Sequence, residues 1–396
     1  MKKKIIIIFI TIILIVAITI GGIYFYNKWR IANAEVIVKL EDNLKIEVYS
    51  KLKLSDLIKS INGNLTKDFT INTKNLGEKT IKFNYINNDD IEVSYTFNIE
   101  VIDTTPPIIF NSNSFSLTKG YEGDLSKELF CGDNYDDTPT CELIGNYDVN
   151  TSGTYPVTFK GTDSSGNISE TQFNLIVKEK TKSIQKTTYQ NFQDIVAKHK
   201  TENTKIGIDV SRWQGDIDFE QVRDAGVEFA FIRIGTQKGI GGEYYIDPKF
   251  EQNIKGFQSV KIPVGVYFYS YANDNKTAKT EAKWVIEKLK PYNIELPVVF
   301  DWENWSFYQE FNKSFYNLTQ MANTYLNTIK KAGYEAMLYS SKNYLEKIWL
   351  ETDYKIWLAH YTDQTTYQGD YYIWQLCDNG RVPGINGNVD INIMYN

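Results

Sequence analysis

The chain of 396 residues is too long for one ordinary hydrophobic core and long enough for two or three domains. Its 43 Lys and Arg against 49 Asp and Glu give a net charge of −6, and no basic cluster follows the first thirty residues, which argues against a nucleic-acid partner. The three Cys and two His form no zinc-binding or nucleophile–base motif, so any catalysis falls to carboxylates, and we expect no metal and no other cofactor.

The first predicted element is an uncharged apolar segment at residues 5–26, which follows three lysines. As a helix it rises about 33 Å, enough to cross the ~30 Å hydrocarbon core of a bilayer. We therefore predict a transmembrane signal-anchor at 5–26 behind a cytoplasmic stub at 1–4, in a single-pass protein of the cell membrane with its C-terminal domains extracellular. A cleaved signal peptide that leaves a secreted protein is the alternative, because Ala-Asn-Ala at 32–34 has the small-x-small pattern of a cleavage site.

Two small all-β modules are predicted at 34–102 and 103–178, where short alternating runs are separated by Asn, Asp and Gly. The stretches NLGEKTIKFNYINNDD (75–90) and TSGTYPVTFKGTDSSGN (151–167) share a turn, a strand and a polar turn, which indicates an internal repeat of about 76 residues. The second module, which opens with DTTPPIIF (103–110), resembles the bacterial Ig-like modules of Gram-positive surface proteins. That resemblance implies small sandwiches that serve as spacers or contact a cell-wall or protein partner.

Cys131 and Cys141 bracket the polar stretch GDNYDDTPT. Outside the membrane we expect a disulfide between them, which would stabilise the module by a few kcal/mol by restricting the unfolded loop. Two unpaired thiols are the alternative. The acidic residues match no calcium-loop spacing, so we expect a solvated turn here. Residues 179–204 are polar without a sustained apolar period and are predicted to be a linker with a short helix near NFQDIVAKH.

The region 205–396 is predicted to be an α/β barrel. Five helix patterns lie between its early strands, and the last three strands are joined by short loops, so the pattern is that of a reduced TIM-like barrel with eight strands and five helices. The near-continuous apolar runs favour a parallel sheet that is covered on its outer face. The eight runs are 206–210, 228–234, 262–270, 296–303, 334–341, 355–361, 371–376 and 389–395.

In such barrels the active site lies at the carboxyl ends of the strands. Asp209 ends the first strand, and Asp301 and Glu303 end the fourth, where side chains two positions apart point the same way. Asp390 instead opens the eighth run, so either that boundary is early or the carboxylate enters from the preceding loop. Carboxylates amid Tyr and Trp without metal-ligating histidines indicate a sugar-cleaving cleft. Its candidate substrate contacts are Tyr267, Tyr269, Tyr339, Trp357, Tyr361 and Gln375.

Glycosidic cleavage needs an acid that protonates the leaving oxygen and a group that stabilises an oxocarbenium-like centre. Glu303 is the natural acid, because partial burial beside Trp302 and Trp305 would raise its pKa. Asp301 is expected to stay ionised and to raise that pKa further by charge repulsion. Arg233 either enters the cleft or pairs with an acid inside the barrel, and we leave it outside the predicted site.

Five stretches at about 205–396 resemble successive motifs of glycoside hydrolase family 25: GIDVSRWQGDIDFEQVRDAGVEFAFIRIG, YYIDPKFEQNIKGFQSVKIPVGVYFYSYA, LPVVFDWE, IWLAHY and VDINIMY. These are lysozymes that cleave the β-1,4 bond between N-acetylmuramic acid and N-acetylglucosamine in peptidoglycan. The resemblance implies a muramidase that acts on peptidoglycan glycan strands in cell-wall remodelling.

Carried over, the resemblance makes Glu303 the proton donor, while Asp209 and Asp390 complete the acidic floor. Asp301 would orient the substrate's own 2-acetamido group as nucleophile, and a covalent aspartyl intermediate is the alternative. Many relatives have His-Phe where this chain has Phe268-Tyr269, which puts substrate contacts in doubt more than the chemistry.

Two other functions fit parts of the sequence. A wall-binding scaffold would bind glycan without cutting it, but such a protein has little reason to keep the Asp-x-Glu pair. A chitinase-like hydrolase also ends its fourth strand in Asp-x-Glu, but its usual Asp-x-x-Asp-x-Asp-x-Glu series is replaced by apolar residues in LPVVFDWE. The muramidase interpretation is therefore preferred.

Overall fold

The structure, a computed structural model, describes residues 2–110, 114–123, 125, 129–180, 188–303, 312–350 and 352–396. The chain forms two compact units, Met1–Thr104 and Thr105–Asn396, and each is described by itself. The α-helices of the described residues are α1 (Lys2–Ala32), α2 (Phe192–His199), α3 (Phe219–Asp224), α4 (Phe250–Ser259), α5 (Asn275–Leu289), α6 (Phe315–Lys331) and α7 (Lys342–Lys347).

Helix α1 contains the predicted apolar segment and extends beyond its expected end at residue 26. Its part Ile7–Ala32 is long and apolar enough to cross a membrane, and none of its residues is buried. A signal sequence would satisfy the same criteria. The apolar N-terminal helix is therefore confirmed, and its role as an anchor stays a prediction.

The first unit continues with a four-stranded sheet in the order β2-β6-β5-β4 and a two-stranded ribbon, β1-β3. The long β5–β6 hairpin is antiparallel, and alternate side chains along it are buried, as expected for a sheet with one face on a core. Its strands are β1 (Val38–Leu40), β2 (Lys45–Glu47), β3 (Ile58–Ile61), β4 (Gly63–Leu65), β5 (Gly77–Asn87) and β6 (Glu92–Ile102).

The second unit begins with a β module that repeats this plan, with a sheet in the order β10-β11-β12-β8 and a ribbon, β7-β9. Its long hairpin starts at Gly153, 76 positions after Gly77, and ends at Lys178, 76 positions after Ile102, so the predicted repeat is present. The strands are β7 (Ile108–Ile109), β8 (Ser114–Thr118), β9 (Cys131–Gly132), β10 (Thr140–Ile144), β11 (Gly153–Thr162) and β12 (Ile168–Lys178). The Ig-like assignment of both modules stays a prediction.

The module shares one compact unit with the barrel, and its existence as a domain of its own at 103–178 stays a prediction. One expectation about its loop was wrong. The acidic stretch after Cys131 is not a solvated turn, since Asp133 is buried and backbone groups of this loop bond to the start of α6. Cys131 and Cys141 are joined by a disulfide.

The rest of the second unit is a closed barrel of eight strands, with one short strand at its edge and one hairpin strand, and the five predicted helices are all present. Seven strands are parallel to their neighbours in the order β21-β20-β19-β18-β17-β15-β14, and β22 closes the barrel between β14 and β21. The strands are β13 (Gln190–Asn191), β14 (Thr204–Val210), β15 (Ala230–Gln237), β16 (Tyr244–Ile246), β17 (Val264–Tyr269), β18 (Val298–Asp301), β19 (Ala336–Ser341), β20 (Lys355–Ala359), β21 (Ile373–Arg381) and β22 (Val389–Tyr395).

Strand β22 departs from the all-parallel expectation, because it is antiparallel to both β14 and β21. Its first residues therefore lie at the carboxyl ends of the other strands. Asp390 is paired in register with Asp209 for this reason. Neither explanation offered for Asp390 from the sequence was right, since its strand boundary is correct and it does not enter from the loop.

The predicted linker at 179–204 was also drawn too long. Strand β13 pairs with β21, and α2 buries Phe192 and Ile195 in the core between strands and helices. The short helix expected near NFQDIVAKH is confirmed as α2. Inside the barrel a second apolar cluster contains Phe229, Phe231 and Trp357, and it forms a packed floor beneath the carboxyl ends of the strands.

Candidate active site

A cavity of about 270 Å³ opens at the carboxyl ends of the strands. All ten residues predicted for the catalytic and substrate-binding sites line it. The carboxylates are Asp209, Asp301, Glu303 and Asp390, and the other predicted residues are Tyr267, Tyr269, Tyr339, Trp357, Tyr361 and Gln375. The barrel thus brings together side chains that are up to 181 positions apart, from Asp209 to Asp390.

Asp209 is the centre of a buried hydrogen-bond network. Its Oδ2 accepts from the side-chain amides of Gln375, at 2.9 Å, and Asn392, at 2.8 Å. Trp357 donates its indole N–H to Asn392 Oδ1 at 2.8 Å and so fixes the orientation of that amide. Asn392, on β22, was not predicted, because only the antiparallel course of that strand aims it at Asp209.

Two tyrosines extend the network towards the cavity mouth. Tyr339 and Tyr361 both donate their hydroxyl protons to Gln375 Oε1, at 2.8 and 3.1 Å. Burial raises the pKa of each phenol, so both remain neutral donors at physiological pH. Gln375 therefore connects the hydroxyls of two cavity-lining tyrosines to the Asp209 carboxylate.

Asp209 and Asp390 share a proton. Burial raises the pKa of Asp209 to about 6, against the opposing effect of its amide donors. Burial, together with the charge of Asp209, raises the pKa of Asp390 to about 9. At neutral pH Asp390 therefore keeps the proton and donates a hydrogen bond to the ionised Asp209, and the pair has one negative charge instead of two.

Asp301 and Glu303 form the second pair, and they differ in exposure. The side chain of Asp301 is only 3% exposed, whereas that of Glu303 is exposed at the rim of the cavity. Burial raises the pKa of Asp301, and desolvation within the cleft raises the pKa of the Glu303 carboxyl even though its side chain reaches the rim. The hydrogen bond between the two carboxyls raises the pKa of Asp301 and lowers that of Glu303, so the proton that this pair holds rests on Asp301. The expectation that Asp301 stays ionised by itself does not fit, because burial raises its pKa well above the ordinary value.

One oxygen of this second pair is unsatisfied. Asp301 Oδ1 is buried and has no hydrogen-bond partner among the described residues. A buried acceptor without a donor costs about 1–3 kcal/mol, so such an atom is unusual unless a ligand supplies the donor. Within the described part of the chain, by contrast, Asp209 has no buried oxygen without a partner.

Arg233 was left out of the predicted site, but it lines the cavity. It also pairs with the buried Asp247, with Arg233 Nε 2.8 Å from Asp247 Oδ2. Arg233 therefore both enters the cleft and pairs with an acid, the two possibilities that the sequence offered. Its positive charge opposes the rise in the pKa of Asp301. The sequence did contain an indication that Arg233 belongs to the site, because it is a lone arginine within the apolar run EFAFIRI.

Trp213 was not predicted either; it is the middle residue of the short helical turn Arg212–Gln214 and lines the cavity. Its ring is 72% exposed, and the guanidinium of Arg212 lies 4.6 Å from its centroid. An exposed, fixed aromatic ring beside a polar cleft is suited to stacking on a sugar face. Ser211, Gln214 and Asp378 complete the lining.

Phe268 and Tyr269 stand where many relatives have His-Phe, and only Tyr269 faces the cleft. Phe268 is fully buried against Tyr244 and Trp284, so it faces away from the cavity. Tyr269 faces the cavity and packs edge-on against Tyr271, with ring centroids 5.4 Å apart. Trp302 is buried, and Trp305, which was expected beside Glu303, lies outside the described residues.

Residues 208–385 match the model of glycosyl hydrolases family 25. The uncharacterized protein YegX of Escherichia coli K12 is 29% identical over 197 residues, which are 47% of this chain and 68% of that protein. The autolytic lysozyme of Clostridium acetobutylicum is 26% identical over 188 residues, which are 47% of this chain and 54% of that protein. The solved structure of the modular autolysin LytC from Streptococcus pneumoniae is 28% identical, with a TM-score of 0.45, and the match covers 60% of this chain and 56% of that one.

The matched part of these relatives is thus between about half and two thirds of their length. The family match and the lysozyme relatives support a glycoside hydrolase domain at residues 208–385. This range begins at the strand that carries Asp209, and it includes Asp301 and Glu303.

Proposed function

Taking residues 208–385 as a family 25 glycosyl hydrolase domain, we propose that the protein is a muramidase. It would cleave the β-1,4 bond between N-acetylmuramic acid and N-acetylglucosamine in peptidoglycan. The observation that carries this proposal is the Asp301–Glu303 pair, in which an exposed carboxyl shares a proton with a buried carboxyl that has one empty acceptor.

Glu303 is assigned as the general acid. It lies at the cavity rim, where a glycosidic oxygen can approach, and desolvation raises its pKa. Before substrate binds, the proton shared by the pair rests on Asp301, and a substrate N–H that donates to Asp301 would stabilise its ionised form and move the proton to Glu303. In the reaction the proton passes from Glu303 to the leaving oxygen as the bond from that oxygen to C1 breaks.

Asp301 is assigned to the substrate's 2-acetamido group. The N–H of that group is the donor that Asp301 Oδ1 lacks, and this hydrogen bond would orient the acetamido carbonyl oxygen to bond to C1. Water then attacks C1, returns a proton to Glu303 and restores the acetamido group. Two displacements at C1 give a product that retains its configuration.

Asp209 and Asp390 are assigned to electrostatic support. They hold one negative charge at the floor of the cavity, and the amides of Gln375 and Asn392 fix its position. A fixed negative charge near C1 stabilises the positive charge that develops there. These two carboxylates touch the reacting region but transfer no proton in this scheme.

Helix α1 would hold the protein at the outer face of the cell membrane, with the hydrolase domain towards the wall. Its length and composition support an anchor, and peptidoglycan, the proposed substrate, lies outside the membrane. The secreted alternative keeps the same chemistry and differs only in the fate of α1.

The test is digestion of purified peptidoglycan by the detergent-solubilised full chain, beside Glu303→Gln and the surface variant Glu251→Gln. We expect soluble fragments that end in reducing N-acetylmuramic acid, detected by mass spectrometry, from the wild type and Glu251→Gln but not from Glu303→Gln. Reducing N-acetylglucosamine ends would refute the bond assignment. Wall binding without release of fragments by the folded chain would favour the glycan-binding scaffold.

A further inference from the structure

The β module of the second unit and the barrel meet at the first turn of helix α6. The loop at residues 131–141, here called the capping loop, is closed by the Cys131–Cys141 disulfide. It lies against residues 314–317, where α6 begins with Ser314 as its N-cap. The module is therefore attached to the barrel through a defined contact as well as through the chain.

The capping loop satisfies backbone donors that the helix itself cannot satisfy. The first N–H groups of any α-helix have no partner within the helix. The Phe315 N–H donates to the Asp133 carbonyl at 2.8 Å, and the Tyr316 N–H donates to the Asn134 carbonyl at 3.2 Å. Two of the orphan donors of α6 thus find acceptors in another part of the fold.

Asp137 supplies the charged part of the contact. Its Oδ1 accepts from the backbone N–H of Ser314 at 2.6 Å and from the side-chain amide of Asn317 at 2.7 Å. A carboxylate at a helix N-terminus also interacts favourably with the helix dipole. Asp137 therefore bonds to both the N-cap residue and the first turn of α6.

Apolar contacts reinforce these hydrogen bonds. The ring of Phe110 packs edge-on against Phe315, with centroids 6.2 Å apart, and the Lys347 ammonium lies 5.6 Å from the centroid of Phe110. Ile108 and Phe110 pack against the barrel's own core. The module and the barrel consequently share buried surface.

Helix α6 leads from this contact to the catalytic strand. Its Tyr325 is buried and packs on Phe300, with ring centroids 4.9 Å apart. Phe300 directly precedes Asp301 on β18. A series of direct contacts therefore runs from Asp137 through α6 to the residue before the buried carboxylate.

We propose that the capping loop is a built-in positioning element of the hydrolase, in which Asp137 and the disulfide hold the start of α6 and thereby the strand that carries Asp301. The module is thus a part of the catalytic unit and not a spacer. The structural half of this inference stands on the contacts alone, and the half that concerns catalysis rests on the proposed function.

The test uses the full chain with Asp137→Ala, Asn317→Ala and the double variant. Thermal unfolding, followed by tryptophan fluorescence, should show a fall in Tm of about 2–8 °C for Asp137→Ala, from the loss of a helix cap in a domain of this size. Because the two side chains bond to each other, the double variant should fall by less than the sum of the single shifts.

Asp136→Ala is the matched control. Asp136 is the neighbouring carboxylate on the same loop, but it accepts from the N–H groups of Thr138 and Ser164 within the module. It should leave kcat on peptidoglycan unchanged at a temperature where every variant is folded. Asp137→Ala should lower kcat several-fold with little change in KM, because a displaced Asp301 weakens the transition state more than binding. Asp137→Asn, which keeps an oxygen acceptor, should recover part of the loss.

The double variant Cys131→Ser with Cys141→Ser gives a second line of evidence, since it leaves Asp137 in place but frees the loop. It should reproduce the loss of Tm and kcat. Additive Tm shifts for Asp137 and Asn317, or equal loss of kcat in Asp136→Ala and Asp137→Ala, would overturn the proposal. An inactive wild-type chain would refute the proposed function instead, while the unfolding data would still decide whether the loop caps α6.

Discussion

The cleft contains two pairs of carboxylates that differ in how their oxygens are satisfied. Asp209 accepts from two amides and from its protonated partner Asp390, and neither residue has a buried oxygen without a partner among the described residues, so we call this pair saturated. Asp301 keeps a buried acceptor without a donor, and its partner Glu303 is exposed at the rim. From this difference we infer different roles for the two pairs. The saturated pair would hold a charge in a fixed position, and the unsaturated pair would bind a ligand and transfer a proton.

Apart from loss of the general acid itself, the largest effect is expected for Asp301→Asn. The amide has nearly the shape of the carboxyl, but it replaces one acceptor oxygen with an NH₂ donor and cannot exchange a proton with Glu303, so kcat should fall by about 10²–10³-fold. Steady-state kinetics on soluble glycan fragments would measure it. A rise in KM with unchanged kcat would contradict the assignment, because it would mean that Asp301 contributes equally to substrate and transition-state binding.

A smaller and unequal effect is expected within the saturated pair. Asp390 is the protonated partner, so Asp390→Asn keeps a neutral donor towards Asp209 and should change kcat less than about twofold. Asp209→Asn removes the fixed charge and should lower kcat about tenfold, or about 1.4 kcal/mol in barrier height. The reverse ranking would show that the proton resides on Asp209.

The pH dependence of the free energy of unfolding should show that Asp390, and not Asp209, holds the proton of the saturated pair. The pKa of Asp390, raised to about 9 in the fold, exceeds its unfolded value, so its contribution to stability is complete below about pH 4 and is lost as the pH rises through 9. The urea midpoint of the wild type should fall between pH 5 and pH 9. In Asp390→Asn this fall should be reduced, and an unchanged profile would refute the raised pKa.

The smallest effect is expected at the rim. Trp213→Ala removes an exposed stacking surface that lies outside both carboxylate pairs, so KM for glycan should rise about two- to tenfold with kcat nearly constant. Tyr371→Ala, at an aromatic position outside the cavity lining, is the control. A fall in kcat with unchanged KM would instead indicate that Trp213 acts in the chemical step.

Much of the barrel could be predicted, because its strands are apolar runs and its helices have three-and-four spacing, and both signals are local. The rim residues followed from the rule that active sites lie at strand ends. Strand direction was not predictable, since an apolar run such as VDINIMY reads the same for a parallel and an antiparallel strand. That one missing fact made Asp390 an anomaly and concealed Asn392.

The other errors have a similar cause. Phe192 and Ile195 are isolated apolar residues in a polar stretch, and only tertiary packing shows that they belong to the barrel core. The loop that contains Asp137 is polar, as a solvated turn would be, because its acceptors serve donors 177 positions further along the chain. The proton-sharing of Asp301 and Glu303 depends on burial, which their spacing alone does not reveal.

The central claim is that the unsaturated pair performs the chemistry and the saturated pair supports it. The most direct test is the ratio of hydrolysis rates of Glu303→Gln and Asp209→Asn on one peptidoglycan preparation at one pH, with folding of both variants verified by circular dichroism. Removal of a general acid costs about 10²–10⁴-fold, so Glu303→Gln should be at least about tenfold slower than Asp209→Asn. Equal rates, or a slower Asp209→Asn, would contradict the account and move the proton transfer to the Asp209–Asp390 pair.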